Sequence, residues 1–212
     1  VEAVELILAG IEKAGYKPGE DFAIDLDAAT SELWRDGGYY EFFKSDQSRK
    51  SCEEIIDMWE SWLNQYPIVS LEDGLGEKDW QGWQELTKRL GDRIQLVGDD
   101  IFCTNPKIIQ EVIDRGVANA SLIKVNQIGS VTETLEAIKI PRSGGYSVYI
   151  SHRSGETPDD LIADFSVATS AAQLKTGAPC GGERLAKYNQ LLRIEEELGA
   201  AARYAGWQNF RQ

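Results

Sequence analysis

Apolar positions along this chain recur in two alternating rhythms. At the start, Val4, Ile7, Leu8 and Ile11 recur at helical spacing up to Gly15, with Pro18 beyond, which predicts an amphipathic first helix. Six short apolar or β-branched runs then each lead into a polar group and then a helical pattern. They are FAIDLD ending at Asp27, PIVSLED with Glu72, IQLVGDD with Asp99, ASLIKVN with Lys124, YSVYISHR with His152 and AAQLKTG with Lys175. The last is the poorest strand former, because Ala and Gln are depleted from pleated surfaces. The polar positions lie 45, 27, 25, 28 and 23 residues apart. Intervals of the shorter size hold one strand, one helix and two loops, the repeating unit of a parallel α/β sheet.

The helical stretches carry their own start and stop signals. Ser51 and Glu54 form a capping-box pattern ahead of Ile55, Ile56, Trp59, Trp62 and Leu63, and Pro67 follows the end. Asn105 with Pro106 is a cap and first-turn pair, and Gly116 closes that helix. Ser130 with Glu133, and Thr157 with Pro158 and Asp160, repeat the same grammar. The 45-residue interval is the exception. Its polar stretch from Trp34 to Arg49 reads as a strand extension or surface loop rather than another strand-helix unit.

Length and composition narrow the class. A chain of 212 residues is long for one small domain and short for two, which favours a single α/β domain with a substantial core. The first residue is Val1 and the chain is already in a helical pattern, as expected of a piece of something longer. No apolar run approaches the roughly 20 residues of a membrane span, and no secretory leader is expected. The net charge of −13 argues against general nucleic-acid binding, which needs a basic face. A phosphate-bearing ligand would have to be met by a local cluster of cations. Cys52, Cys103 and Cys180 are odd in number and lack CxxC spacing, so reduced thiols and a cytoplasmic location are expected.

In parallel α/β sheets, functional groups collect beyond the carboxyl ends of the strands. Here the six strand-end positions are ionisable: first three acids, then three potential cations. Asp27, Glu72 and Asp99 could converge on one hard cation, and an all-carboxylate set suits Mg²⁺ better than Zn²⁺. Asp73 and Asp100 are rival ligands, because alternation along a strand does not settle which neighbour points inward. Each acid alone would be an ordinary cap. Lys124 and Lys175 close apolar runs, and a lysine buried near other cations and a metal can act as a general base. The bland alternative is that each pairs with a nearby carboxylate. His152 is the one histidine in the chain; Arg153 and Ser154 after it offer a bidentate cation and a hydroxyl suited to phosphate.

Several blocks of the chain resemble the enolase family, the 2-phosphoglycerate dehydratases. They are DAATSE (27–32), SLEDGL (70–75), QLVGDD (95–100), LIKVNQIGS (122–130), SHRSGET (151–157), QLKTG (173–177) and ERLAKYNQLLRIEEELG (183–199). The resemblance extends over almost the whole chain. It implies an incomplete enolase-type (β/α)₈ TIM barrel of about six strand-helix units, with residues 1–212 as the C-terminal part of the catalytic barrel. Carried over position by position, it makes Asp27, Glu72 and Asp99 the Mg²⁺ ligands and Lys124 the base beside the substrate carboxylate. His152 would lie in the substrate pocket, Arg153 and Ser154 would bind phosphate, and Lys175 would face the carboxylate. Glu72 and Asp99 would also border the substrate.

The implied reaction is the reversible dehydration of 2-phosphoglycerate to phosphoenolpyruvate, a lyase step of glycolysis, in a cytoplasmic enzyme that is commonly a homodimer. In the family, a glutamate proton donor, a cap domain and the first two barrel strands lie upstream of the segment matching Val1. Little turnover is therefore expected of these 212 residues alone. Two local departures stand out. Gly181-Gly182 occupies a place where the family usually carries Arg-Ser, and Pro141 falls where relatives continue a helix, so that helix is expected to end a turn early. A different class of reading is a non-catalytic module that keeps the barrel surface for protein partners. Another acid-sugar or amino-acid branch of the superfamily fits SHRSGET and QLKTG less well.

Overall fold

Helix α1 (Glu2–Lys13) forms where the helical rhythm predicts it, but only part of its apolar pattern is covered. Val4 packs with Ile24 and Ile68, flanked by Leu8, Trp62 and Tyr66, whereas Leu6 and Ile7 face solvent. The computed structural model describes residues 1–171 and 173–210. They form two units, Val1–Ile101 with Arg115–Asn119 and Phe210, and Phe102–Asp114 with Ala120–Asn209.

In the first unit, α1 leads into β1 (Ile24–Asp27), and then a small antiparallel sheet of β2 (Trp34–Arg35), β3 (Tyr39–Glu41) and β4 (Arg49–Lys50). This sheet is the form taken by the stretch expected to be a strand extension or loop. Its anchor is Tyr40, fully buried, whose hydroxyl donates to Asp79 Oδ2 at 2.9 Å and accepts the Gly76 N–H at 3.0 Å. Helix α2 (Cys52–Gln65) starts on the expected capping box: the Glu54 N–H donates to Ser51 Oγ at 3.2 Å, and the Ser51 N–H to Glu54 Oε2 at 2.7 Å. Strand β5 (Ile68–Glu72), helix α3 (Trp80–Leu90) and strand β6 (Gln95–Gly98) follow.

Strands β1, β5 and β6 are parallel and adjacent in that order. Leu71, Leu96, Trp83, Leu86 and Leu90 are almost wholly buried and make the sheet-helix core. Asn119 ties the amino end of β6: its Oδ1 accepts the Leu96 N–H at 2.8 Å, and its Nδ2 donates to Gly91 O and Ile94 O at 2.9 and 3.0 Å.

The second unit repeats the plan with α4 (Pro106–Asp114), β7 (Ala120–Ile123), the short α5 (Val125–Ile128), α6 (Val131–Ser143), β8 (Ser147–Ser151), α7 (Leu161–Ala168), β9 (Gln173–Lys175) and α8 (Gly182–Leu198). Strands β7, β8 and β9 are parallel, in that order. Ala172, in the poorest of the predicted runs, lies outside the described residues.

Two helices differ from the sequence expectation. Helix α6 does not end a turn early: it continues through the buried Pro141 to Ser143. Proline there forfeits one hydrogen bond near a helix end, where few turns remain to be disrupted, and its ring is packed rather than solvated. The helix expected from Thr157 and Pro158 begins instead at Leu161. The Thr157 hydroxyl accepts the Asp159 N–H at 3.3 Å and Asp159 Oδ1 accepts the Leu161 N–H at 3.0 Å, so these side chains build the approach to the helix.

Candidate active site

The parallel register fixes where the predicted acids stand. Asp27 and Glu72 are direct partners across β1 and β5, each the last residue of its strand. Glu72 in turn faces Val97 on β6, and Asp99 follows the end of that strand. Glu72 and Asp99 are buried, whereas Asp27 is exposed. Three carboxylates therefore rise from the same end of three neighbouring strands.

A second grouping overlaps the first. Ligand-competent oxygens of Asp73, Asp99 and Asp100 all lie within 4.8 Å of one another. Both Asp73 oxygens already accept backbone donors, the Asp99 N–H at 3.0 Å and the Asp100 N–H at 3.0 Å. Asp73 thus fastens the turn that carries Asp99. Burial pushes its carboxyl up to about 7, with the carboxylates of Asp100 and Asp99 acting the same way and the two backbone donors pulling against them. Among the described residues, this group of Asp73, Asp99 and Asp100 offers carboxylate oxygens, a chemistry that fits a hard divalent cation such as Mg²⁺.

The cationic residues occupy the equivalent end of the second unit. Lys124 directly follows β7, and its backbone N–H donates to the Thr104 hydroxyl at 3.0 Å. That buried hydroxyl donates onward to Gln127 Oε1 at 2.5 Å, so the turn carrying Lys124 is held from two sides. Ser151 pairs with Lys175 across β8 and β9, and the His152 N–H donates to Lys175 O at 2.9 Å. Lys124, His152 and Lys175 therefore leave the carboxyl ends of three adjacent strands.

The loop after His152 is braced on several sides. The Arg153 N–H donates to Glu156 Oε1 at 3.1 Å, and the Arg153 guanidinium donates to Asn126 Oδ1 at 3.2 Å. Arg153 and Ser154 are both exposed. Burial works to raise the Glu156 carboxyl, but the Lys187 ammonium and the Arg153 N–H outweigh it and hold the group below the usual range. Partial burial and the nearby Arg184 cation push the His152 imidazole below its ordinary value.

Sequence reading assigned no role to Arg184, Lys187, Glu156 or Thr104. A signal for the first two exists, since Arg184, Lys187 and Tyr188 share one face of α8 at i, i+3 and i+4. The departure at Gly181 has a local consequence as well: this residue takes φ +89° just before α8, a backbone angle at which an L side chain is strained.

Parallel strands alternating with helices, and ionisable groups gathered at the carboxyl ends of the strands, define an α/β-barrel type of protein. Residues 1–212 match the family described as Enolase, C-terminal TIM barrel domain, and the chain belongs to that family. It is 55% identical over 210 residues to Enolase 1 of Chlorobaculum tepidum, an alignment covering 99% of this chain and 49% of that protein. The chain thus spans about half the length of this relative. No helix among the described residues is long and apolar enough to cross a membrane.

Proposed function

We propose that the acids and cations at the strand ends serve one reaction, the reversible dehydration of 2-phosphoglycerate to phosphoenolpyruvate, in a Mg²⁺-dependent lyase of which this chain is the C-terminal barrel part. The observation that carries the reading is the register. Asp27 lies opposite Glu72 in the first unit, and Lys175 lies opposite Ser151, the neighbour of His152, in the second, which supports the roles that family resemblance gives these residues. Asp27, Glu72 and Asp99 would hold Mg²⁺, with Asp73 positioning the Asp99 turn. A divalent cation at the substrate carboxylate offsets the second negative charge that develops when the neighbouring proton leaves.

In this reading Lys124 takes the proton from the carbon beside the carboxylate, and its amine keeps it. Arg153 and Ser154 hold the phosphate, Lys175 pairs with the carboxylate, and His152 borders the substrate. The electron pair left by the proton forms the new carbon-carbon double bond as hydroxide departs from the adjacent carbon. That hydroxide leaves as water only if an acid donates a proton to it. We assign this acid to none of the residues in the chain, and expect the 212-residue protein to bind Mg²⁺ and phosphoenolpyruvate while turning over little. The whole enzyme is taken to be cytoplasmic and homodimeric, as is common in the family.

Calorimetric titration with Mg²⁺, and then with phosphoenolpyruvate in its presence, tests the binding half. Exchange of the substrate's carbon-bound proton with D₂O, followed by proton NMR, isolates the step given to Lys124 and should disappear in Lys124→Ala. Binding of neither ligand would instead favour a non-catalytic module presenting the barrel surface to protein partners. Rapid phosphoenolpyruvate formation by the 212-residue chain, followed by absorbance, would overturn the assignment of the acid elsewhere.

A further inference from the structure

Helix α8 directs a row of polar side chains at the loops that follow β8 and β9. Arg184 pairs through Nη1 with Nδ1 of His152, and the same nitrogen donates to Arg153 O at 3.0 Å. Its Nη2 donates to Ser154 O at 2.8 Å. One turn on, the buried Lys187 ammonium donates to Glu156 Oε2, Thr157 O and Glu183 O at 2.6, 2.7 and 2.8 Å. Tyr188 donates to Gly177 O in the loop that leaves Lys175. The stem of Arg184 runs against Gly177, where an added Cβ would sit 2.9 Å from Arg184 Cδ.

The chemistry of the first contact is asymmetric. A guanidinium has donors and no acceptor, so the ring nitrogen it meets must present a lone pair. The His152 proton is then confined to Nε2. Two carbonyls and one imidazole nitrogen are held by a single planar fork, whose geometry a flexible ammonium does not reproduce.

We propose that Arg184 is a positioning residue that locks His152 in the neutral, Nε2-protonated tautomer and seats the backbone of Arg153 and Ser154. The inference rests on the preceding reading, in which His152 borders the substrate. It goes further by restricting the imidazole to a single role, donating a hydrogen bond through Nε2 without carrying charge. The charged groups facing His152 are Arg184 and Lys187 from α8, Lys175 from the end of β9, and Glu156 from its own loop. Only Glu156 favours the protonated ring; the three cations and partial burial oppose it.

His152 is the one histidine in the chain, so the 212-residue protein labelled with ¹⁵N-histidine gives a single imidazole signal set. Long-range ¹H–¹⁵N spectra recorded across a pH series report tautomer and titration directly. The wild type should show Nε2–H, titrating below an ordinary histidine. Arg184→Met should yield a tautomer mixture, a titration moved up toward the ordinary value, and phosphoenolpyruvate binding weaker by about tenfold or more, equivalent to losing one charge-assisted hydrogen bond. Arg184→Lys, which keeps the charge and most of the stem, should lose the tautomer lock while retaining part of the titration shift.

An Nδ1–H tautomer in the wild type overturns the proposal even if neither variant folds. So does an unchanged tautomer in a folded Arg184→Met, or unchanged phosphoenolpyruvate affinity alongside a shifted tautomer. Wild-type protein that shows the Nε2–H lock but binds no phosphoenolpyruvate counts against the functional reading and leaves the Arg184 contact standing, so the two failures are distinguishable.

Discussion

Replacing Lys187 by methionine probes how the α8 face supports the loop after β8. The ammonium is 1% exposed and its three donors each have an acceptor, Glu156 Oε2 and two backbone carbonyls. Methionine fills a similar volume but leaves all three acceptors without that donor. Removing one member of a buried ion pair costs about 3–5 kcal/mol, because the remaining charge is stranded. The Glu156 side chain is 17% exposed and keeps some access to water, which places the loss toward the lower end, about 3 kcal/mol. For a chain of this size that is a fall in Tm of roughly 6–12 °C.

Urea unfolding followed by circular dichroism supplies the free energies. A cycle with Glu156→Gln separates the pair from the carbonyl bonds. The pH dependence has a defined sign. The Glu156 carboxyl is held below its ordinary 4.5, so the stability it contributes is present above that pH and is lost as the pH falls through the folded-state value. The gap between wild type and Lys187→Met should therefore narrow in acid. A loss below about 0.5 kcal/mol at neutral pH, within the range of ordinary surface substitutions, would refute the claim that this ammonium holds the loop.

Other perturbations test separate parts of the structure. Asp99→Asn removes a charged ligand and should weaken Mg²⁺ binding by more than about tenfold in calorimetry; unchanged affinity would move the ion away from the end of β6. Tyr40→Phe leaves the Asp79 carboxylate and the Gly76 N–H short of a partner in a buried setting, and should cost about 1–3 kcal/mol in urea unfolding. Asn119→Ala deletes three hydrogen bonds at the amino end of β6 and should cost about 3 kcal/mol, read the same way. Gly177→Ala forces a side chain onto φ +84° and against Arg184; a destabilisation of about 1–2 kcal/mol is expected, with a change in the histidine signals reporting the shift of the guanidinium.

What could be read in advance follows the range of the interactions involved. The six parallel strands and the ionisable residue at or just beyond the end of each were legible, because strand runs, capping pairs and βα spacing are local patterns. The capping box at Ser51 and Glu54 acts over three residues and formed as written. The small sheet from Trp34 to Lys50 was not legible, since its anchor, Tyr40, finds Asp79 at a separation of 39 residues. Pro141 was misread for a related reason: local preference favoured a stop, and packing of the buried ring overrode it. Arg184 reaches His152 across 32 residues, and nothing in the spacing of its own helix indicates which loop it meets.

The choice between Glu72 and Asp73 shows where pattern reasoning ends. Alternation says that adjacent residues on a strand face opposite sides, yet both of these carboxylates are buried, with relative exposures of 1% and 3%. Strand β5 stops at Glu72, and Asp73 takes φ +45°, so the extended geometry on which alternation depends has already been left. Aspartate tolerates that backbone better than most residues, and its short side chain can then meet the two amides that begin the turn after β6. Glu72, still in register opposite Asp27, keeps the orientation its strand dictates. Beyond the last extended residue, a side chain is directed by which buried donors need an acceptor, and for Asp73 those donors are the Asp99 and Asp100 amides.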